Sequence, residues 1–214
     1  MAAWLNSTFF GFDKAILSFY HFLAESMGTV LTPIMEFITI IGEKGIIVLV
    51  IGLILLLFAK SRRIGCTVFA AVVFGALFTN IILKDIIARP RPFESVELFY
   101  DWWQYAGAFA EDGFSFPSGH VTAVTAGFMA MVFMGKRKYL WFALPSIVLM
   151  AASRNYLVGH YPTDVIAAMI VGTVAAALAT VTVKYVYKFI ESKKNIQLFK
   201  FLLEFDIKTL FKKT

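Results

Sequence analysis

Gly45-Ile46-Ile47-Val48-Leu49-Val50-Ile51-Gly52-Leu53-Ile54-Leu55-Leu56-Leu57-Phe58-Ala59 is an uninterrupted apolar run, closed by Lys60, Arg62 and Arg63. It shows none of the period-2 alternation of a membrane barrel strand, so it reads as a helix that is apolar all round. The whole chain has the same character. Its 214 residues are 59% hydrophobic and only 16% charged, against about a quarter charged in soluble domains, and the mean hydropathy is +0.76. An integral membrane protein is the reading. At roughly 20 residues per crossing, this length accommodates one bundle of five or six helices.

Outward from that run, a second span covers residues 64–87 and carries Lys84 near its far end. A third opens at His120 and closes at Lys136-Arg137-Lys138, a fourth covers about 139–156, and a fifth covers 164–190. Residues 1–44 are less apolar and include Asp13, His21, Glu25, Glu36 and Pro33, which suggests two short amphipathic helices, about 13–26 and 31–41, lying at the interface. A sixth span there is the alternative; it would put His21 and Glu25 at mid-membrane. The long segment 88–117, with Glu94, Glu97, Asp101, Glu111, Asp112 and Trp102-Trp103, reads as a functional loop. Residues 195–214 mix Ile196, Phe199, Leu202, Leu203 and Leu210 with Lys200, Lys208, Lys212 and Lys213, the pattern of a basic amphipathic tail helix lying against anionic lipid. The expected organisation is thus a transmembrane domain over 1–194 followed by this tail. The single Cys66 allows no intramolecular disulfide and fits a small buried apolar residue. No cleavable signal peptide is expected from residues 1–12, which lack a basic n-region and a cleavage site.

Counting cations sets the orientation. Fourteen Lys/Arg fall on the side of Lys60, Lys136 and the tail, and six on the side of Lys14, Lys44, Lys84, Arg89, Arg91 and Arg154. The positive-inside rule assigns the first side to the cytoplasm. The net charge of +6 then records topology and does not point to nucleic acid.

Three polar clusters at span ends share the outer side: Lys84 with Arg91-Pro92, Pro117-Ser118-Gly119-His120, and Ser153-Arg154 with His160 and Asp164. Taken singly, each has a plain reading. Lys84 and Arg91 could snorkel to anchor a helix end, and His120 could be an interfacial bystander. Together they make a site for an anion, which we expect to be a phosphate. Ser118 is a suitable N-cap, and the first-turn amides after it form an anion-binding helix start. Asp164 lies where it could hold one ring nitrogen of His160 and leave the other free to attack, beside a second His and three cations. A metal on His120, His160 and Asp164 is opposed by those cations.

Lys84-x6-Arg91-Pro92, Pro117-Ser118-Gly119-His120 and Ser153-Arg154-x5-His160-x3-Asp164 resemble, in order and spacing, the three-part signature of the type 2 phosphatidic acid phosphatase (PAP2) superfamily. No position departs from it. That superfamily includes bacterial acid phosphatases, lipid phosphate phosphatases and vanadium haloperoxidases. The resemblance implies that His160 is the nucleophile, forming a phosphohistidine, with Asp164 orienting it. His120 would protonate the leaving group and then activate water. Lys84, Arg91, Arg154, Ser118 and the Gly119 amide would hold the phosphoryl oxygens, with no metal or other cofactor. Membrane members commonly have six spans, whereas this chain offers five convincing ones.

The expectation is therefore an all-α, multi-pass protein of a bacterial plasma membrane with its site on the extracytoplasmic face. Its partners would be the bilayer and a lipid phosphate or diphosphate. Undecaprenyl diphosphate, phosphatidic acid, phosphatidylglycerophosphate and diacylglycerol pyrophosphate are the candidates by analogy. Tyr100, Trp102, Trp103 and Tyr105 suit the headgroup level, as anchors or as walls of an access path. Transfer of the phosphoryl group to a lipid or sugar acceptor, and lipid binding without turnover, are the competing readings. Haloperoxidase chemistry fits a lipid setting less well.

Overall fold

The opening apolar run forms helix α2 (Ile46–Leu56). It starts from Gly45 at φ +75°, where a Cβ would approach Ala123 Cβ to 3.0 Å. The structure, a computed structural model, describes residues 1–209. After a turn the chain returns as α3 (Arg62–Ala76), passes through a π-helical segment over Leu77–Leu83, and ends in α4 (Lys84–Ile87), terminated by Ala88 at φ 48°. Three further helices complete the bundle: α7 (Gly119–Met134), α8 (Leu140–Tyr156) and α9 (Pro162–Ser192). All of this is helical because, in lipid, each backbone N–H and C=O must find its partner within the segment.

The centre of the bundle is α3, α7 and α9, and small residues bring their backbones together. Val68, Ala71, Ala126, Ala130, Ala175, Ala176 and Ala179 form the core with Val48 of α2. A Cβ on Gly172 would lie 2.7 Å from the Thr122 carbonyl oxygen and 2.8 Å from Thr125 Cβ. Large apolar side chains point outward instead, among them Ile81, Ile86, Trp141, Phe142, Ile170 and Val181. This inverted arrangement suits a bilayer, where tails solvate Leu and Ile as well as a protein core does and close packing supplies the association energy. By length and composition, the helical stretches Ala2–Leu56, Arg62–Ser95 and Pro162–Ser192 can cross a membrane, while Gly119–Met134 is apolar but shorter.

Two expectations change. Residues 1–44 are not two separate short helices but one, α1 (Ala2–Gly42), bent at Met27 (φ −138°, ψ 18°). The bend falls in the expected gap, two residues before Thr29, whose carbonyl the Pro33 ring crowds. The helix touches one end of the bundle along its length. Asp13 meets Thr163, Thr32 bonds Tyr156 (2.8 Å) and Thr39 bonds Ser153 (3.1 Å). It is therefore packed against protein on one face, with Asp13 fully buried. The segment 88–117 is likewise not a bare loop, since it contains α5 (Pro92–Ser95) and α6 (Glu97–Tyr105). Phe99 and Trp102 of α6 pack on Leu17, Val158 and Tyr161. Trp102 stacks on His21 at 4.9 Å, and Trp103 stacks on Phe93 at 4.5 Å while donating to the Phe109 carbonyl. These tryptophans hold the segment down, while Tyr100 and Tyr105 remain well exposed.

The ends of the bundle differ. Lys84, Arg91, His120, Arg154 and His160 gather at one; Arg63, Arg137 and Lys188 lie at the other. At that second end the tail helix α10 (Gln197–Glu204) is clasped by Arg62, which is buried and donates to the carbonyls of Leu56, Leu202 and Phe205. Leu210, Lys212 and Lys213 of the expected tail lie outside the described residues.

Because Gly172 has backbone against it, Gly172→Leu must push α7 and α9 apart. We expect a loss of about 1–3 kcal/mol, read as a lower thermal unfolding midpoint in detergent. Gly11→Ala, where nothing lies within 4 Å, should leave the midpoint unchanged.

Candidate active site

Each site residue owes its position to a helix end. The π-helical segment widens the last turns of the second rod, and Thr79 and Asn80 within it face the same cavity as Lys84. Such segments often mark functional sites. Pro92 opens α5 and leaves Arg91 extended (φ −71°, ψ 158°), with its N–H donated to Glu94 Oε2 at 2.9 Å. Ser118 stands at the N-cap of α7 but does not cap it. Its hydroxyl is buried with no hydrogen-bond partner among the described residues, and its N–H is 3.4 Å from the Asp164 carbonyl oxygen. Arg154 ends α8, and His160 lies in the hinge before α9.

A cavity of about 300 Å³ joins Lys84, Arg91, Gly119, His120 and His160. Ser118, Arg154 and Asp164 are fully buried and do not line it. The same cavity is also lined by apolar and small residues, Val72, Gly75, Ala76 and Ala123.

His160 is buried, and its Nδ1 lies 2.7 Å from the Ser115 carbonyl oxygen. A carbonyl only accepts, so Nδ1 carries the proton and Nε2 keeps its lone pair. Burial, followed by the Arg154 and Arg91 charges, holds the imidazole well below its usual pKa and so neutral at physiological pH. The expected partner of that nitrogen, Asp164, is displaced from the role: its Oδ2 is 3.8 Å from Nδ1, beyond hydrogen-bond range. Asp164 instead accepts from the Tyr161 N–H (3.0 Å), fixing the first turn of α9, and from Arg89 Nη1 (2.5 Å).

Arg89 is a residue whose importance the sequence concealed. Fully buried, it donates to Asn6 Oδ1 (2.8 Å), Thr163 Oγ1 (2.7 Å), Asp164 and Asp13 Oδ2 (2.9 Å), with its guanidinium 3.7 Å from the Tyr161 ring centroid. Asp13 also accepts from the Thr163 N–H and hydroxyl. One cation between two carboxylates thus ties α1 to the start of α9. Glu111 is a second unanticipated participant. Its carboxylate bridges Arg91 Nη2 (3.1 Å) and Arg154 Nη2. Burial disfavours the ionised form, but the Arg154 and Arg91 guanidiniums outweigh it and hold Glu111 below the usual carboxylate range.

The two guanidiniums are fixed by other groups as well. Arg91 donates to the carbonyls of Gly113 (2.9 Å), Gly159 (2.8 Å) and Asp112 (2.6 Å). Arg154 donates to Thr39 Oγ1 at 3.2 Å, and its Nε is buried with no hydrogen-bond partner among the described residues. At Gly159 a Cβ would come within 2.9 Å of Arg154 Nη2, so the hinge passes close to that guanidinium only as glycine.

Removing one partner of a buried charge network leaves an uncompensated ion, which costs about 3–5 kcal/mol. We therefore expect Asp13→Ala, far from the signature in sequence, to lower the unfolding midpoint far more than Lys14→Ala on the exposed face.

Residues 64–188 match the PAP2 superfamily. The chain is 30% identical over 144 residues to an undecaprenyl-diphosphatase of Sulfolobus acidocaldarius, covering 67% of this chain and 66% of that protein. It is 38% identical over 112 residues to a lipid A 1-phosphatase of Rhizobium johnstonii, covering 51% and 43% respectively, and 38% identical over 111 residues to one of Rhizobium etli, covering 51% and 46%. The alignments thus span less than half the length of the two Rhizobium proteins. No solved structure matches. The family match covers more than half of the chain and contains the whole constellation except what α1 contributes: this membrane protein belongs to the PAP2 superfamily.

Proposed function

We propose that the chain is a lipid phosphate phosphatase that removes a terminal phosphate from a membrane lipid through a phosphohistidine intermediate, on the extracytoplasmic face. The observation that carries this reading is one cavity lined both by Lys84, Arg91 and the two histidines and by the small and apolar residues Val72, Gly75, Ala76 and Ala123. A phosphate headgroup suits the first and a hydrocarbon tail the second.

In the proposed reaction, the neutral His160 Nε2 attacks phosphorus in line with the leaving oxygen. The P–N bond forms as the P–O bond breaks, and His120 gives a proton to the departing alkoxide or phosphate. Water then attacks the phosphohistidine, His120 takes its proton, and the P–N bond breaks to release inorganic phosphate and neutral His160. Lys84, Arg91, Arg154, the Ser118 hydroxyl and the Gly119 amide bind the equatorial oxygens, where charge accumulates. The Ser115 carbonyl keeps Nδ1 protonated throughout, and as cationic phosphohistidine forms it also accepts a stronger hydrogen bond. Asp164, one step removed, fixes the turn from which His160 projects and places a negative charge 3.8 Å from the ring.

Undecaprenyl diphosphate is the first substrate to test, because a relative matched over most of this chain is named for it. The 1-phosphate of lipid A is the second, supported by the two more similar but shorter matches. Purified protein in detergent should release phosphate from one of these, or from phosphatidic acid or phosphatidylglycerophosphate. His160→Ala should lower the rate by at least about 10³-fold while the protein stays folded at the assay temperature, as checked by its unfolding midpoint. Alkaline quench of labelled substrate should trap a protein-bound, acid-labile phosphate in the wild type and none in the variant. Full turnover by His160→Ala would remove the nucleophile assignment, and acceptor-dependent product without free phosphate would replace the hydrolase by a transferase.

A further inference from the structure

Glu111 holds the seat that the signature assigns to a phosphate. Its two carboxylate oxygens contact Arg91 and Arg154, much as two oxygens of a phosphoryl group would. It also stands between the cavity and the deeper cation, because Glu111 and Arg91 line the cavity whereas Arg154 does not and is fully buried. Any anion that reaches Arg154 from the cavity must therefore take the place of this carboxylate.

A carboxylate in that position could serve only to hold the two guanidiniums. The hydrogen bonds argue otherwise for Arg91, which has carbonyl acceptors from Gly113, Gly159 and Asp112 independent of Glu111. Arg154 keeps Thr39 as a second partner. The cations stay in position when the carboxylate leaves. The carboxylate can also leave without dismantling the site: Glu111 lies in the irregular stretch between α6 and α7 and its side chain retains 10% exposure, so a side-chain rotation suffices and the Asp112 and Gly113 carbonyls stay on Arg91.

We propose that Glu111 is a specificity-determining residue: an internal anion that occupies the phosphate seat at rest and yields it to a terminal phosphate but not to a phosphodiester. The proposal rests on the lipid phosphatase reading above and adds how the site avoids the wrong lipids. A bilayer surrounds the protein with phosphodiester headgroups in great excess over any substrate. A vacant cluster of three cations would bind them. A phosphodiester carries one negative charge, the same as the carboxylate it would have to displace, and lacks the advantage of being tethered. A terminal phosphate carries about −1.5 to −2 at pH 7 and gains more from Arg91, Arg154 and Lys84 than the carboxylate gives up. Discrimination by a built-in competitor is a form of selection against the wrong partner.

The test measures phosphate binding and headgroup competition with the full chain in neutral detergent micelles. Wild-type protein should bind inorganic phosphate in calorimetry, and its hydrolysis of a lipid phosphate should be insensitive to phosphatidylglycerol added to the micelles. Glu111→Gln should bind phosphate at least 10-fold more tightly and become competitively inhibited by phosphatidylglycerol. Glu111→Asp, which keeps the charge but is too short to bridge both arginines, should fall between the two and serves where the Gln variant does not fold. Unchanged or weaker phosphate binding by Glu111→Gln or Glu111→Asp would overturn the proposal and leave Glu111 a structural anchor. Competition by phosphatidylglycerol in the wild type would overturn it without any variant. If the wild type instead releases no phosphate from any lipid while the variants bind phosphate more tightly, the lipid phosphatase reading fails and the occupied seat stands.

Discussion

Arg89, clamped between Asp13 and Asp164, is the contact on which the site depends. α1 is not part of the tightly packed α3, α7 and α9 centre, and α9 begins only at Pro162, directly after the hinge that carries His160. The guanidinium joins them through four hydrogen bonds: to Asn6 and Asp13 on α1, and to Thr163 and Asp164 on α9. A fully buried ion network is weak evidence of net stability, since desolvation offsets most of the Coulomb gain. Its value here is positional. With Arg89 in place, α1 is drawn across the end of the bundle, Thr39 reaches Arg154, and the turn from Tyr161 to Asp164 has one conformation, so that His160 is aimed by its backbone as well as by Ser115.

The apolar part of the molecule makes this possible by asking little of the site. Alanine and glycine contacts among α3, α7 and α9 bring the backbones close, so the bundle holds together by packing alone and the helix ends are free to carry charge. The two ends use their arginines differently as a result. At one, Arg62 spends its donors on the carbonyls of Leu56, Leu202 and Phe205 and pins the tail helix. At the other, Arg91 and Arg154 are each held by neutral acceptors as well as by one exchangeable carboxylate.

The constellation proposed as catalytic was legible in the sequence because its members sit at helix ends, at fixed short spacings, in a chain otherwise poor in charge. The residues that complete it were not. Asp13 and Arg89 are far apart in sequence, and each had an adequate local explanation as an interfacial charge. Glu111 lay among Glu94, Glu97, Asp101 and Asp112, with nothing in the one-dimensional pattern to separate the acid that turns inward. The acceptor against His160 Nδ1 is a backbone carbonyl, that of Ser115, which has no identity in sequence at all; Asp164, placed near His160 by the helix start and by the family resemblance, stands 3.8 Å from Nδ1 and is tied to Arg89. The bend in α1 was readable from Pro33, but continuity across Met27 depends on contacts with α8 and α9 that local pattern does not contain.

At the site, the Ser118 hydroxyl and Arg154 Nε are buried donors with no hydrogen-bond partner among the described residues, and they bear on what the site is built for. Each such group costs about 1–3 kcal/mol when left unsatisfied, and a fold under selection for stability alone would cap α7 with Ser118, as the N-cap position invites. Here the hydroxyl is withheld from the helix and kept beside the first-turn amides. Oriented donors that are already desolvated need no reorganisation when negative charge arrives, which is the condition under which electrostatic stabilisation of a transition state is largest. The stability forgone at Ser118 and Arg154 is therefore returned as binding to whatever oxygen-rich anion reaches them, and most strongly to the species with the most charge on its equatorial oxygens.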